Sequence, residues 1–111
     1  MDLSLRALAD PNRRLILASL LDRELPAGEI GAALPISRPA VSQHLAVLRA
    51  AGLVEERRAG TRRLYRARHE GIAELRTSLD AFWDGGLARL RQLAESEAAI
   101  TAAAQGDGED D

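Results

Sequence analysis

The 111 residues, 46% hydrophobic, are enough for one compact domain and too few for two ordinary ones. The absence of cysteine excludes a disulfide framework, a thiolate metal site and redox sensing through thiols. The formal net charge of −2 conceals an uneven distribution: residues 37–68 hold eight arginines against two glutamates, a net +6, and the flanking segments are acidic. Phe, Trp and Tyr occur once each among many Ala, Leu and Arg, a mixture that favours helices over a β-rich core. No run of about twenty apolar residues occurs, and residues 1–10 lack the basic-then-apolar pattern of a leader. A soluble, cytoplasmic protein with no membrane contact is expected.

In chain order, Leu3, Leu5 and Leu8 suggest a short amphipathic first helix. Asp10-Pro11 then supplies an N-cap and a proline suited to the first helical position, so a second helix is predicted from Pro11 to about Asp22. It should bury Leu15, Ile16, Ala18, Leu20 and Leu21 and leave Arg13 and Arg14 in water. A third helix is predicted from about Ala27 to Ala33, burying Ile30 and Leu34, with Leu34-Pro35-Ile36 forcing a turn. Ser37 caps a fourth helix that runs to about Ala51, where Gly52 suits a left-handed C-terminal cap. The pattern then changes to two short strands, Leu53 to Arg57 and Arg62 to Arg66, around the turn Arg58-Ala59-Gly60-Thr61.

From Glu70 a long helix is predicted, with Ile72, Leu75, Leu79, Phe82, Gly86, Leu90 and Leu93 spaced alternately by three and four, as in a seam that meets another helix. Gly85-Gly86 in its middle predicts a kink or a close helix approach. Residues 1–104 are expected to form the domain, and residues 105–111, acidic and glycine-rich, a disordered tail. The fold class is mainly α, with about five helices and a two-stranded hairpin.

The stretch from Ile36 to Leu45 carries the most chemistry. On a helical wheel Val41, Leu45 and Leu48 form one buried stripe and leave Pro39, Ser42, Gln43 and Ala46 facing outward, with Arg38 and Arg49 on the flank. Short residues permit close approach to a major groove, where Gln can pair with adenine and Arg with guanine. An ordinary amphipathic surface helix would show the same stripe. The hairpin separates the two readings: Arg57, Arg58, Arg62 and Arg63 bracket the small residues Ala59-Gly60-Thr61, an arrangement suited to phosphates or a narrow minor groove.

Four stretches together resemble the ArsR/SmtB family of bacterial winged-helix repressors: Ala7 to Arg14, Ser37 to Leu45, Leu48 to Val54 and Arg58 to Tyr65. The resemblance implies a winged helix-turn-helix homodimer held by its first and last helices, with two recognition helices in successive major grooves of a roughly palindromic operator. The expected DNA contacts are Ser37, Arg38, Pro39, Ser42, Gln43, His44 and Arg49 on the recognition helix. On the wing they are Arg57, Arg58, Gly60, Thr61, Arg62 and Arg63. The expected dimer contacts are Leu3, Leu5 and Leu8 with the seam from Ile72 to Leu93, including Trp83.

Where the family's metal sensors carry Cys-x-Cys, this chain has Pro26-Ala27-Gly28. Where they carry ligands in the last helix, it has His69-Glu70-Gly71 and Phe82-Trp83-Asp84-Gly85. One imidazole falls short of the three or four ligands such a metal needs, so no metal and no cofactor are expected. Phe82, Trp83 and Gly85-Gly86 could receive an apolar small-molecule effector, although packing accounts for them more simply. Catalysis has no constellation: Asp80 and Asp84 lack a His or Lys partner and no phosphate-binding glycine loop is present. A transcriptional regulator, in the form of a repressor, is therefore the expected function. A winged helix used only for protein contacts is the alternative.

Overall fold

The computed structural model describes the backbone of residues 2–109 and the side chains of residues 3–103. Seven elements follow in order: α1 (Asp2–Ala7), α2 (Pro11–Ser19), α3 (Ala27–Ala32), α4 (Arg38–Ala50), β1 (Val54–Ala59), β2 (Arg62–Ala67) and α5 (His69–Glu109). They fall into two compact units, Met1–Arg76 and Thr77–Asp111. Helical backbone continues to Glu109, within the segment where an acidic tail is expected, and Asp110 and Asp111 lie outside the described residues.

Local signals set most boundaries in the first unit. The Asp10 carboxylate accepts from the backbone N–H groups of Asn12 (2.8 Å) and Arg13 (3.2 Å), capping α2 ahead of Pro11. The helix ends at Ser19, earlier than its apolar pattern predicts. The Ser19 hydroxyl donates to the Ile16 carbonyl at 2.6 Å, and the Leu20 N–H turns back to the Leu17 carbonyl at 3.0 Å, which tightens the last turn. Ile16, Leu17 and Leu20 consequently face the core, while Leu15, Ala18 and Leu21, expected inside, are exposed.

The chain after α2 contributes a feature that no local sequence pattern announces. Leu25 pairs antiparallel with Tyr65 through two backbone hydrogen bonds of 3.0 and 2.9 Å, so a third, very short segment lies beside the two-stranded sheet. The Leu20 carbonyl also accepts from the Ala67 N–H at 3.0 Å. The hairpin is thereby fastened to the helices along β2.

Ser37 caps α4 through its hydroxyl, which accepts from the Ala40 N–H at 3.3 Å. At the other end Gly52 takes φ +75°, with hydrogen bonds from the Gly52 N–H to the Arg49 carbonyl and from the Leu53 N–H to the Leu48 carbonyl. This is a Schellman turn, and Leu48 and Leu53, both fully buried, supply its apolar contact. One buried cluster unites Ile16, Leu20, Ile30, Val41, Leu45, Leu48, Leu53 and Val54. Full burial of each large aliphatic side chain contributes about 1.5–3 kcal/mol.

The start of α5 closes against this turn. A Cβ on Gly71 would stand 1.9 Å from the Gly52 carbonyl oxygen and 2.9 Å from its carbon, so the helix and the turn meet backbone to backbone. Gly71→Ala should cost about 2–3 kcal/mol, because no side-chain movement can relieve the contact. Thermal unfolding of the variant checks this, and an unchanged melting temperature would refute the close approach. Further along, Leu75 is buried and Ile72 half-buried against the same core, so the first two positions of the apolar seam are already covered within one chain.

The second unit consists of the remainder of α5. Its helix is continuous through Gly85 and Gly86, and a Cβ at Gly86 would lie 3.1 Å from the ring of Phe82, one turn earlier. The glycine thus makes room for an aromatic ring of its own helix. Leu79, Phe82, Trp83, Leu87, Leu90, Leu93 and Ile100 are all exposed.

Candidate nucleic-acid interface

α3, a tight turn and α4 form the helix-turn-helix. The two helices approach closely at Gly31, where a Cβ would lie 3.3 Å from Val41 Cγ2. Burial of Ile30 on one side and of Val41, Leu45 and Leu48 on the other fixes the rotation of α4 about its axis. Pro39, Ser42, Gln43 and Ala46, with Arg38 and Arg49 on the flank, are consequently exposed, as the wheel predicts, and the capping Ser37 is exposed beside them. The helix is about 20 Å long, with short side chains along its exposed face.

His44 is placed differently from the rest of that set. It is half-buried, with its Nδ1 3.4 Å from Arg13 Nη1, at the junction of α2 and α4. Arg13, expected in water, is half-buried, and together with the exposed Arg14 it holds the end of α1. Arg13 donates through Nε to the Ala7 carbonyl and through Nη2 to the Arg6 carbonyl, while Arg14 donates to the Leu8 carbonyl at 2.7 Å. Desolvation works to raise the Asp10 pKa, but the N–H groups of Arg13 and Asn12 and the nearby positive charges of His44 and Arg13 outweigh it and hold the carboxyl below its ordinary value.

In the hairpin the register pairs Val54 with Ala67, Glu56 with Tyr65 and Arg58 with Arg63 on one face. Gly60 and Thr61 form a two-residue tip, shorter than the four-residue turn predicted. Gly60 at φ +66° occupies the first central position, as in a type II′ turn, and this lets both strands continue to the tip. On the opposite face Glu55 and its cross-strand partner Arg66 form an ion pair of 2.6 Å. Arg57 on that face makes a forked pair with Glu24, with both contacts 2.9 Å. The hydrogen bond from Arg57 lowers the Glu24 pKa, and Glu24 in turn raises that of Arg57. Arg57 is therefore not brought together with Arg58 and Arg63.

A groove runs between α4 and the hairpin. It is lined by Arg38 and Ser42 of α4 and by Thr61, Arg62, Arg63 and Tyr65 of the hairpin, with Pro26 and Ala27 beside them. The Arg38 guanidinium lies over Gly28, where a Cβ would be 3.8 Å from it. Arg62 reaches Glu29 at only 3.6 Å. Among the described residues Arg38 and Arg58 ion-pair with no carboxylate. Exposed guanidinium groups beside small side chains can meet phosphate oxygens and let the face of α4 approach base edges in a major groove.

Sequence reasoning did not single out Arg13, Arg14, Glu24 or the carboxylate of Glu56, which ties α4 to the wing. Only the first two left a readable signal. Two arginines in the first turn of a helix oppose its dipole, so their presence after Asp10-Pro11 calls for a partner nearby.

Among the described residues no group of three His, Cys, Asp or Glu side chains is placed to hold a metal ion. No helix of the described residues is long and apolar enough to cross a membrane. Residues 10–56 match the bacterial regulatory proteins of the arsR family. Over 96 residues the chain is 51% identical to the HTH-type transcriptional regulator Rv2034 of Mycobacterium tuberculosis, covering 86% of this chain and 90% of that protein. A crystal structure of a possible transcriptional regulator for arsenical resistance superposes with a TM-score of 0.69 at 42% identity, covering 78% of this chain and 91% of the other. The homodimeric winged helix-turn-helix DNA-binding domain of a possible ArsR-family regulator from Mycobacterium bovis, solved by NMR, superposes with a TM-score of 0.61 at 34% identity. That match covers 75% of this chain and 77% of the other. The five helices and two-stranded wing of the described residues agree with these likenesses: the chain belongs to the ArsR family and is a winged helix-turn-helix DNA-binding transcriptional regulator, not an enzyme.

Proposed function

We propose that the protein is a cytoplasmic homodimeric repressor that grips a roughly palindromic operator with α4 and the hairpin, and that it does not respond to metal. The observation that carries this reading is the groove between α4 and the wing, where Arg38 and Ser42 stand beside Thr61, Arg62 and Arg63. The homodimeric state of the Mycobacterium bovis domain supports a two-fold complex here, and the exposed apolar residues of α5 supply a surface for it. The lack of cysteine and of a ligand set in either family position supports independence from metal. Regulation in this reading comes from an apolar ligand or a partner near Phe82 and Trp83, whose ring centroids lie 6.5 Å apart.

Ser42, Gln43 and Arg38 would read bases, Ser37 and Pro39 would let the helix approach, and Arg58, Arg62 and Arg63 of the wing would hold phosphates. A bidentate base contact discriminates by about 1–3 kcal/mol. Gln43→Ala should therefore weaken operator binding by about 5- to 150-fold and leave random-DNA binding nearly unchanged. The measurement is a titration of an operator recovered by genomic footprinting and of random DNA, at two salt concentrations, with and without zinc. Equal losses on both DNAs would remove Gln43 from the reading face. Release of the operator by stoichiometric zinc would refute metal independence. No binding to either DNA at low salt would favour a winged helix that contacts only proteins.

A further inference from the structure

Glu56 occupies a position that the gripping of DNA does not by itself require. It lies in β1 opposite Tyr65, on the hairpin face that also carries Arg58 and Arg63. One carboxylate oxygen, Oε2, is 3.1 Å from Arg49 Nη1 in the last turn of the recognition helix, and the other, Oε1, is 3.8 Å from Arg63 Nε in β2. The carboxylate side chain is 19% exposed, whereas those of Arg49 and Arg63 are 48% and 58% exposed. Oε2 is buried and has no hydrogen bond, so the charge of Arg49 is its compensation.

We infer that Glu56 is a specificity-determining residue, holding Arg49 of the recognition helix and Arg63 of the wing in one fixed relation so that only a backbone matching that relation is gripped by both. The inference rests on the DNA-binding reading above. Binding to random DNA is almost wholly electrostatic and gains from arginines free to seek phosphates in any register. Two arginines that share one carboxylate, Arg49 closely at 3.1 Å and Arg63 more loosely at 3.8 Å, are less free in this way. Swinging either of them toward an ill-placed phosphate leaves a poorly hydrated carboxylate without its partner, a cost that rises as the DNA fits less well. On an operator whose phosphates meet both guanidinium groups where they already stand, that cost is absent, and the fixed geometry spares the ordering of two long side chains. Glu56 thus penalises wrong sites more than the right one, as a repulsive element does in other selective interfaces.

Glu56→Gln keeps the shape and removes the charge. Random-DNA affinity should rise about tenfold and operator affinity by less than about threefold, so the ratio between them narrows. The log–log salt slope for random DNA should steepen by about one to two units, at about 0.9 for each phosphate newly engaged. In an Arg63→Gln background the same substitution should steepen the slope by no more than about one unit, since one of the two released arginines is gone. Circular dichroism and thermal unfolding of each variant establish that it is folded. An equal rise on both DNAs would mean that only a negative charge near phosphate had been removed, and would overturn the inference. A fall on both would make Glu56 a plain structural tie and would overturn it as well. A wild-type protein without operator preference would overturn the DNA-binding reading and this inference with it, whereas the first two outcomes overturn the inference alone.

Discussion

Leu90→Glu combined with Leu93→Glu should yield a folded monomer whose operator affinity is lower by about 100-fold or more, the factor lost when two linked half-site contacts become independent. Both leucines lie in the second unit, 58% and 59% exposed, among Leu79, Phe82, Trp83 and Leu87 on one helix. So many large apolar side chains in contact with water on a small protein mark an interaction surface. Glutamate is a good helix former, so the double substitution disturbs the surface and not the helix. The core of the first unit contains neither residue, so its unfolding transition should survive. Sedimentation equilibrium gives the mass, and titration with operator and with a single half-site gives the affinities. A variant that remains dimeric, or a monomer that binds the full operator as tightly as wild type, would refute the assignment of α5 as the dimer seam. Leu3 and Leu5 of α1 are also exposed, and the same pair of measurements on Leu3→Glu tests their share.

Features written in adjacent residues were legible. Asp10-Pro11, Ser37 and Gly52 each act on backbone groups within a few positions, and each does in the structure what its chemistry dictates there. The outward face of α4 was legible for a related reason, since Val41, Leu45 and Leu48 are enough to set which side of a helix turns outward. The apolar pattern of α2 misled because it continues past the point at which Ser19 and the tight Leu17–Leu20 closure end the helix. Pairings between distant residues left no local trace. Leu25 with Tyr65 and Glu24 with Arg57 join segments far apart in sequence, and nothing in a stretch of four arginines shows which one is already engaged. The close approach of Gly71 to Gly52 was hidden likewise, because a glycine near a helix start is ordinary until a backbone is found against it.

Three of the four wing arginines, Arg57, Arg58 and Arg63, therefore separate into two groups with different expected effects. Arg58 and Arg63 are direct cross-strand neighbours, a like-charge pairing that costs a sheet stability. Arg58 has no carboxylate partner among the described residues, and Arg63 has only Glu56 at 3.8 Å. A phosphate between them would replace repulsion with two charge-assisted contacts. Arg58→Ala with Arg63→Ala should leave the melting temperature unchanged or slightly higher. It should lower operator affinity by about 10- to 100-fold at moderate salt and reduce its log–log salt slope by about two units, with a smaller loss and about one unit of slope on random DNA, where Glu56 already withholds Arg63 from phosphate. Arg57 is the control from the same strand. Its guanidinium is committed to Glu24 on the other face of the hairpin, so Arg57→Ala should change the slope little and act on the tie between the wing and the segment before α3. Slopes measured between low and physiological salt distinguish the two groups. If Arg57→Ala flattened the salt dependence as much as the Arg58 and Arg63 pair did, the face of the hairpin that meets DNA would be the opposite one. If the double variant left the slope intact, the wing would not touch phosphate at all.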